Sequence, residues 1–244
     1  MEILVGERFL QMMDLRKMVK CAIEGKKDLI VWSTCLVCLV LSGCVPEDFE
    51  QGAKYGAVNL GLSVMWANCN VGASSPEDYG KYYSWGELED KESYYWEDYA
   101  YWSDYDYDEE ASEDEIEYLG RDISGYSSYD VARAKWGEDW RMPTLDEIQE
   151  LMDECYWYWT TVNGVAGYRV MGPNGNSIFL PAAGDRSDDI YEDRGWAGYY
   201  WCSTLDEEEE YKANILGFNE EDGWVWYIGG RSLGLTIRPV KSYY

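Results

Sequence analysis

Histidine is absent from the chain. Its absence removes the commonest general base, the Ser-His-Asp and Cys-His arrangements, and the usual zinc ligands. Basic residues are scarce as well: 20 Lys and Arg stand against 47 Asp and Glu, a formal net charge of -27. A surface of that sign repels nucleic acid and anionic membrane surfaces at ordinary salt, so neither is an expected partner. An enzyme in such a chain would have to work with carboxylates, tyrosine, lysine or cysteine. Acidity of this degree suits a disordered chain, yet 46% of the residues are apolar and 16% aromatic, including 13 Trp and 23 Tyr. That is ample material for a packed core beneath an acidic skin. With 244 residues, one well-buried domain or at most two small ones are expected.

Long apolar runs are also few, and the strongest extends from Leu29 to Val45 behind Lys20, Lys26 and Lys27. It is shorter than the roughly 20 residues of a bilayer-spanning helix and suits the core of a signal peptide. It ends in Leu41-Ser42-Gly43-Cys44, which resembles the bacterial lipobox. There the peptide is cut before the cysteine, and acyl chains on its sulfur replace the lost apolar segment as the membrane attachment. Cys44 is therefore the expected lipid attachment site, with residues 1–43 as signal segment, 44–54 as acidic tether and 55–244 as the domain. A retained N-terminal helix and an ordinary buried cysteine are the alternative readings. Glu2, Glu7 and Asp14 are out of place in a positively charged leader, which makes Met18 an alternative start. The acids Glu47, Asp48 and Glu50 after the cysteine resemble the export signal of Bacteroides-type lipoproteins. The expected location is thus the outer membrane, lipid-anchored and exposed at the cell surface. Cys69, Cys155 and Cys202 remain in the domain, either as one disulfide with a free thiol or as three buried thiols.

Within the domain, turn residues alternate with strand-like runs around two helices, an α+β pattern of antiparallel strands. A short helix is expected over Tyr129–Trp136, capped by Ser128 or Asp130 and stopped by Gly137. In a second, Thr144 and Glu147 make a capping box, and Leu145, Ile148, Leu151, Met152 and Cys155 share one core-facing stripe. Asn174-Gly175, between GYRVM and SIFLPAAG, marks a hairpin. GYYWCST, YKANILGF, GWVWYIG and LGLTIRPV supply further strands, the last ended by Pro239. Trp85, Trp140, Phe179 and Trp201 are expected core anchors. From Glu87 to Tyr118 the sequence is almost wholly Tyr, Trp, Asp, Glu and Ser without period, and it reads as a surface insertion.

Taken in order, VNLGLSVMWANCNVGASSPEDYGKYYSWGE, WGEDWRMPTLDEIQEL, GNSIFLPAAGDR, GYYWCST and GLTIRPV resemble the Fibrobacter succinogenes major paralogous domain, abundant in Bacteroidetes lipoproteins. The resemblance covers most of residues 56–240. It implies a C-type-lectin-like fold, related to the formylglycine-generating enzyme superfamily and to the C-terminal domain of a Legionella collagen-like adhesin. The cysteine pair that holds copper in the formylglycine-generating enzymes is not matched, because only Cys202 follows Cys155. The chain is therefore expected to be a non-catalytic surface binding or adhesion module, for glycans or surface proteins. In such a module exposed rings stack on sugars and carboxylates accept from their hydroxyls. The candidate ligand-binding residues are Tyr94, Tyr95, Trp96, Tyr99, Tyr101 and Trp102 in the insertion, with Asp185, Arg186, Trp196 and Tyr199 before the GYYWCST strand. The alternatives are a structural subunit of a surface assembly, held by edge strands and tyrosines, and a two-carboxylate glycoside hydrolase. No cofactor is expected. DYDYDEE and LDEEEE lack the spacing of an EF-hand, so their charge implies only weak, nonspecific Ca2+ association.

Overall fold

The computed structural model describes residues 56–102 and 119–243. Cys44, the expected signal segment and tether, and residues 103–118 lie outside the described residues. What is described is mostly antiparallel sheet with two helices, an α+β arrangement.

The centre is a sheet in the order β10-β9-β8, formed by Ala197–Leu205 (β8), Lys212–Asn219 (β9) and Gly223–Gly230 (β10). Side chains alternate across a strand, so one strand can serve two cores. Tyr200, Cys202, Leu216 and Phe218 face the first core, which includes Trp66, Ile148, Leu151, Val170 and Leu180. Trp201, Leu205, Ala213 and Ile215 face the second, with Trp85, Ile123, Val131, Met142 and Leu235. Burial on both faces explains why GYYWCST and ANILGF lack the polar alternation of a half-exposed strand.

A second sheet, β3-β4-β5, packs on the first core. It comprises Tyr156–Val162 (β3), Val165–Met171 (β4) and Ser177–Pro181 (β5). Asn163 and Gly164 join β3 to β4 with φ of 49° and 86°, the doubly left-handed turn that suits a two-residue hairpin. This Asn-Gly turn and the strand before it were not among the expected elements. The expected hairpin at Asn174-Gly175 forms β4–β5 through the five residues between Met171 and Ser177. Ala57–Asn59 (β1), Met65–Ala67 (β2) and Val240–Lys241 (β11) make a third sheet, and Asp185–Ser187 (β6) pairs with Ile190–Glu192 (β7).

Helix α1 covers Val131–Trp136, with Asp130 as cap and Gly137 as stop. Helix α2 covers Leu145–Glu154 and carries the expected Thr144–Glu147 capping box, with Ile148, Leu151 and Met152 buried. Trp85, Trp140, Phe179 and Trp201 are all buried. Cys69, Cys155 and Cys202 stand as thiols, and burial pushes Cys155 and Cys202 up to about 12, so neither ionises near neutrality.

One expectation needs correction. Pro239 does not end a strand. Residues Gly234 to Thr236 make isolated bridges, and β11 starts just after the proline, where the Pro239 carbonyl accepts from the Ala67 amide at 2.8 Å. A proline tolerated as acceptor only is suited to this entry position. The first half of the Tyr/Trp/acid tract, for its part, is pinned to the body by buried anchors. Tyr94 and Tyr99 are 2% and 4% exposed, Glu87 is buried, and Tyr94 donates to the Tyr82 carbonyl at 2.7 Å while Tyr99 donates to the Trp85 carbonyl at 2.6 Å.

Asp130 joins three segments. Its carboxylate accepts from the amides of Gly125 (2.7 Å), Met142 (2.9 Å) and Arg133 (3.1 Å), so it caps α1 and holds the approach to α2. Burial pushes its pKa up, against the pull of these donors. Asp130→Ala strands these amides in the interior and is expected to cost about 3 kcal/mol. A thermal melt of the variant checks this.

Candidate functional site

The β6–β7 hairpin is held to the body by Arg186. Its guanidinium donates to the Lys91 and Glu92 carbonyls, each at 2.7 Å, and lies 4.9 Å from the Tyr94 ring and 4.4 Å from the Tyr191 ring. Arg186 is 8% exposed and has no carboxylate within ion-pair distance among the described residues. The field of a chain with net charge -27 favours a cation even where carbonyls and rings are its direct partners. On the outer side of Tyr191, Arg194 stacks at 3.6 Å and donates from Nε to Tyr82 Oη at 2.9 Å. The turn out of the hairpin is tight: Asp193 has a φ of 55°, and its carbonyl accepts from the amides of Trp196 (2.8 Å) and Ala197 (2.9 Å). Aspartate tolerates this left-handed geometry better than most residues. Gly184, with φ of 62°, passes so close to the Glu192 carbonyl that a β-carbon would collide with it.

This framework presents a strip of rings and acids. Trp196 is 71% exposed. Tyr199 donates to Asp193 Oδ2 at 3.2 Å and meets Tyr227 edge to face at 5.9 Å. Both rings close over Gly217, where no side chain would fit between them. Asp185 pairs across the hairpin with Glu192. Burial, then the charges of Glu192 and Asp193, push its pKa up to about 6. The strip combines flat apolar faces with hydroxyl and carboxylate groups on a rigid turn, the materials of a polar-ligand site.

The structure divides the ten residues expected to face a ligand. Asp185 and Tyr199 lie close to each other and to Asp193, and Trp196 is exposed in the turn that Asp193 closes. Arg186 is a buried clamp and not a surface contact, and Tyr94 and Tyr99 are core residues. Tyr94 lies under Arg186; Tyr99 accepts from Arg231 Nε at 2.8 Å. Trp96 and Trp102 are half-buried and pack on each other at 5.3 Å, with Trp96 lying over Gly230. Tyr101 stacks edge to face on Tyr129 at 5.8 Å. Tyr95 is 42% exposed, near Asp188 and Asp189. Tyr94 and Tyr99 thus turn inward because two interior arginines, 186 and 231, and the Tyr82 and Trp85 carbonyls provide their partners.

Tyr191, Glu192, Asp193, Arg194 and Tyr227 were not singled out from sequence. The turn at Asp188-Asp189 has no glycine to betray the hairpin, although Asp188 takes a φ of 56°. A shallow depression lined by Glu87, Leu88, Lys91 and Tyr101 is a poorer site, because Glu87 is already engaged by Lys91 (2.9 Å) and the Ala100 amide (2.7 Å). In the LDEEEE turn, Asp206 caps its own backbone and Glu209 pairs with Lys212 at 2.6 Å. Among the described residues no three acidic or cysteine side chains converge as a metal site; the Asp104–Glu110 run lies outside them.

Comparison with known family profiles, curated proteins and solved structures finds no match.

Asp185 makes the strip sensitive to pH. Its folded pKa of about 6 lies above the ordinary 3.8, so the folded state holds this proton more tightly than the unfolded chain. Its stabilising contribution is full below that lower value and is lost as pH rises through about 6. Asp185→Asn is therefore expected to stabilise the protein by about 1–2 kcal/mol at neutral pH and by little near pH 4, allowing for solvent screening. Denaturant titrations at the two pH values check it.

Proposed function

We propose that the chain is a lipid-anchored lipoprotein of the outer cell surface, with a C-type-lectin-like domain of the Fibrobacter succinogenes major paralogous type, acting as a non-catalytic glycan-binding module. The five ordered motifs support the family, and the antiparallel sheets with two helices are compatible with its fold. The observation that carries the binding reading is Trp196, 71% exposed in the turn that the Asp193 carbonyl closes, three residues before Tyr199, whose hydroxyl donates to the Asp193 carboxylate. Such a ring can stack on the C–H face of a sugar while Asp193 and Asp185 accept from hydroxyls. A strip with three carboxylates on a chain of net charge -27 favours neutral or amino sugars over acidic ones.

The full chain, purified in a neutral detergent, is expected to retain a defined set of glycans on an array. Trp196→Ala should lower that retention at least about tenfold, the scale of a lost aromatic anchor, without moving the melting point. No retained glycan, or retention unchanged in the variant, overturns the reading.

The raised pKa of Asp185 beside Glu192 is the one feature that favours a hydrolase instead. Turnover of chromogenic glycosides abolished by Asp185→Asn would replace binding with catalysis.

The anchor has its own test. Cells fed a palmitate analogue should label the wild-type chain and leave Cys44→Ala unlabelled; equal labelling removes the anchor.

A further inference from the structure

Strand β3 reads Tyr156-Trp157-Tyr158-Trp159-Thr160-Thr161-Val162, seven residues without a charge or a proline, at the edge of its sheet. Edge strands are ordinarily protected by lysine, proline, a bulge or a covering segment, because unpaired backbone groups invite another strand. The direction of those groups follows from the hairpin. In a two-residue turn, Val162 and Val165 form the closing hydrogen-bonded pair, so Thr160 and Tyr158 also bond inward to β4. The next ladder agrees, since the Ala166 carbonyl points away from β3 and accepts from the Ala182 amide at 2.8 Å. The amides and carbonyls of Trp157, Trp159 and Thr161 therefore face outward, and none of them has a backbone partner among the described residues. The strand itself is well anchored. Trp157 and Trp159 pack on the first core, and Trp157 Nε1 donates to the Leu151 carbonyl at 3.1 Å, while Tyr156 is 48% exposed and Thr161 is also exposed.

We propose that β3 pairs antiparallel with β3 of a second copy of this chain, about a two-fold axis at Trp159, joining two three-stranded sheets into one. The charge pattern selects this occupant. Around that axis Trp157 lies opposite Thr161 and Tyr158 opposite Thr160 of the second copy, so the ladder brings no two charges together. Asp153 and Glu154, just before the strand, fall opposite the uncharged Val165 and Gly164. A basic peptide would gain from the field of the whole chain but would find no acid along this edge to pair with.

The same pattern sets the strength. Two chains of net charge -27 repel, and Glu77, which accepts from Asn163 at 2.8 Å, sits near Glu154 of the second copy. A ladder of this length is smaller than a standard-size interface. The dimer is thus weak, and salt strengthens it by screening the repulsion.

Sedimentation of the full chain in density-matched neutral detergent tests the proposal. A monomer–dimer equilibrium is expected, shifting toward dimer with added salt, and amide exchange at Trp157, Trp159 and Thr161 should slow as protein concentration rises. Thr161→Pro removes an outward amide at an exposed position. It should abolish the dimer while the melting point stays within about 2 °C. If that variant does not fold, Thr161→Glu keeps the amide and places an acid near each end of the ladder, and it should weaken the dimer at least about tenfold. A chain that remains monomeric throughout overturns the proposal, as does dimerisation unchanged in these variants. Protection of the three amides independent of concentration also overturns it, because a segment of the same chain would then cover the edge.

Discussion

A guanidinium with no carboxylate partner among the described residues holds the candidate face in place. Arg186 reaches from β6 into the body of the domain, spans two successive carbonyls of the Lys91–Glu92 segment and is enclosed by Tyr94 and Tyr191. This one side chain joins the hairpin to the first half of the Tyr/Trp/acid tract, segments almost a hundred residues apart. Only arginine presents two parallel donors and a flat face at once; a lysine would satisfy one carbonyl and stack poorly. Its Nε has no acceptor among the described residues, a cost that the two charge-assisted bonds and two ring contacts offset.

Arg231 and Arg238 repeat the device. Arg238, 1% exposed, donates to Asn70 Oδ1, the Ala67 carbonyl and the Phe179 carbonyl at 2.8–3.1 Å, and so joins β2, β5 and the approach to β11. Burial lowers its pKa, yet the neutral acceptors and the surrounding acidity keep a cation tolerable. A strongly acidic chain can thus place three of its arginines inside, as cross-links between segments, while among the described acids only Glu87 and Asp130 are buried. The outer strip follows from that division: rings and acids remain on a surface whose backbone is held from within.

Local rules made part of this legible in the sequence. The Thr144–Glu147 box, the stripe from Leu145 to Cys155 and the stop at Gly137 depend on residues three or four apart, and helices α1 and α2 formed where those signals stood. The long strands of the central sheet were visible as dense apolar runs. The hairpin β6–β7 was hidden because its turn is Asp-Asp, and β3 because Trp, Tyr and Thr show no polar alternation. Tyr94 and Tyr99 were misread for a different reason. Their neighbours in sequence match those of an exposed tract, and contacts with Arg186 and Arg231, far along the chain, together with the Tyr82 and Trp85 carbonyls, draw them inside. Trp196, Tyr199 and Asp185 were legible as candidates, whereas Tyr227 joined them only through the register of β9 and β10, which sets its ring over Gly217.

The dependence of the strip on its clamp can be read by amide hydrogen exchange on Arg186→Lys in the full chain. If the fork and its ring sandwich hold the hairpin, protection should fall across residues 184–196 and stay unchanged in the central sheet. Equal protection of that stretch in both proteins would contradict the account.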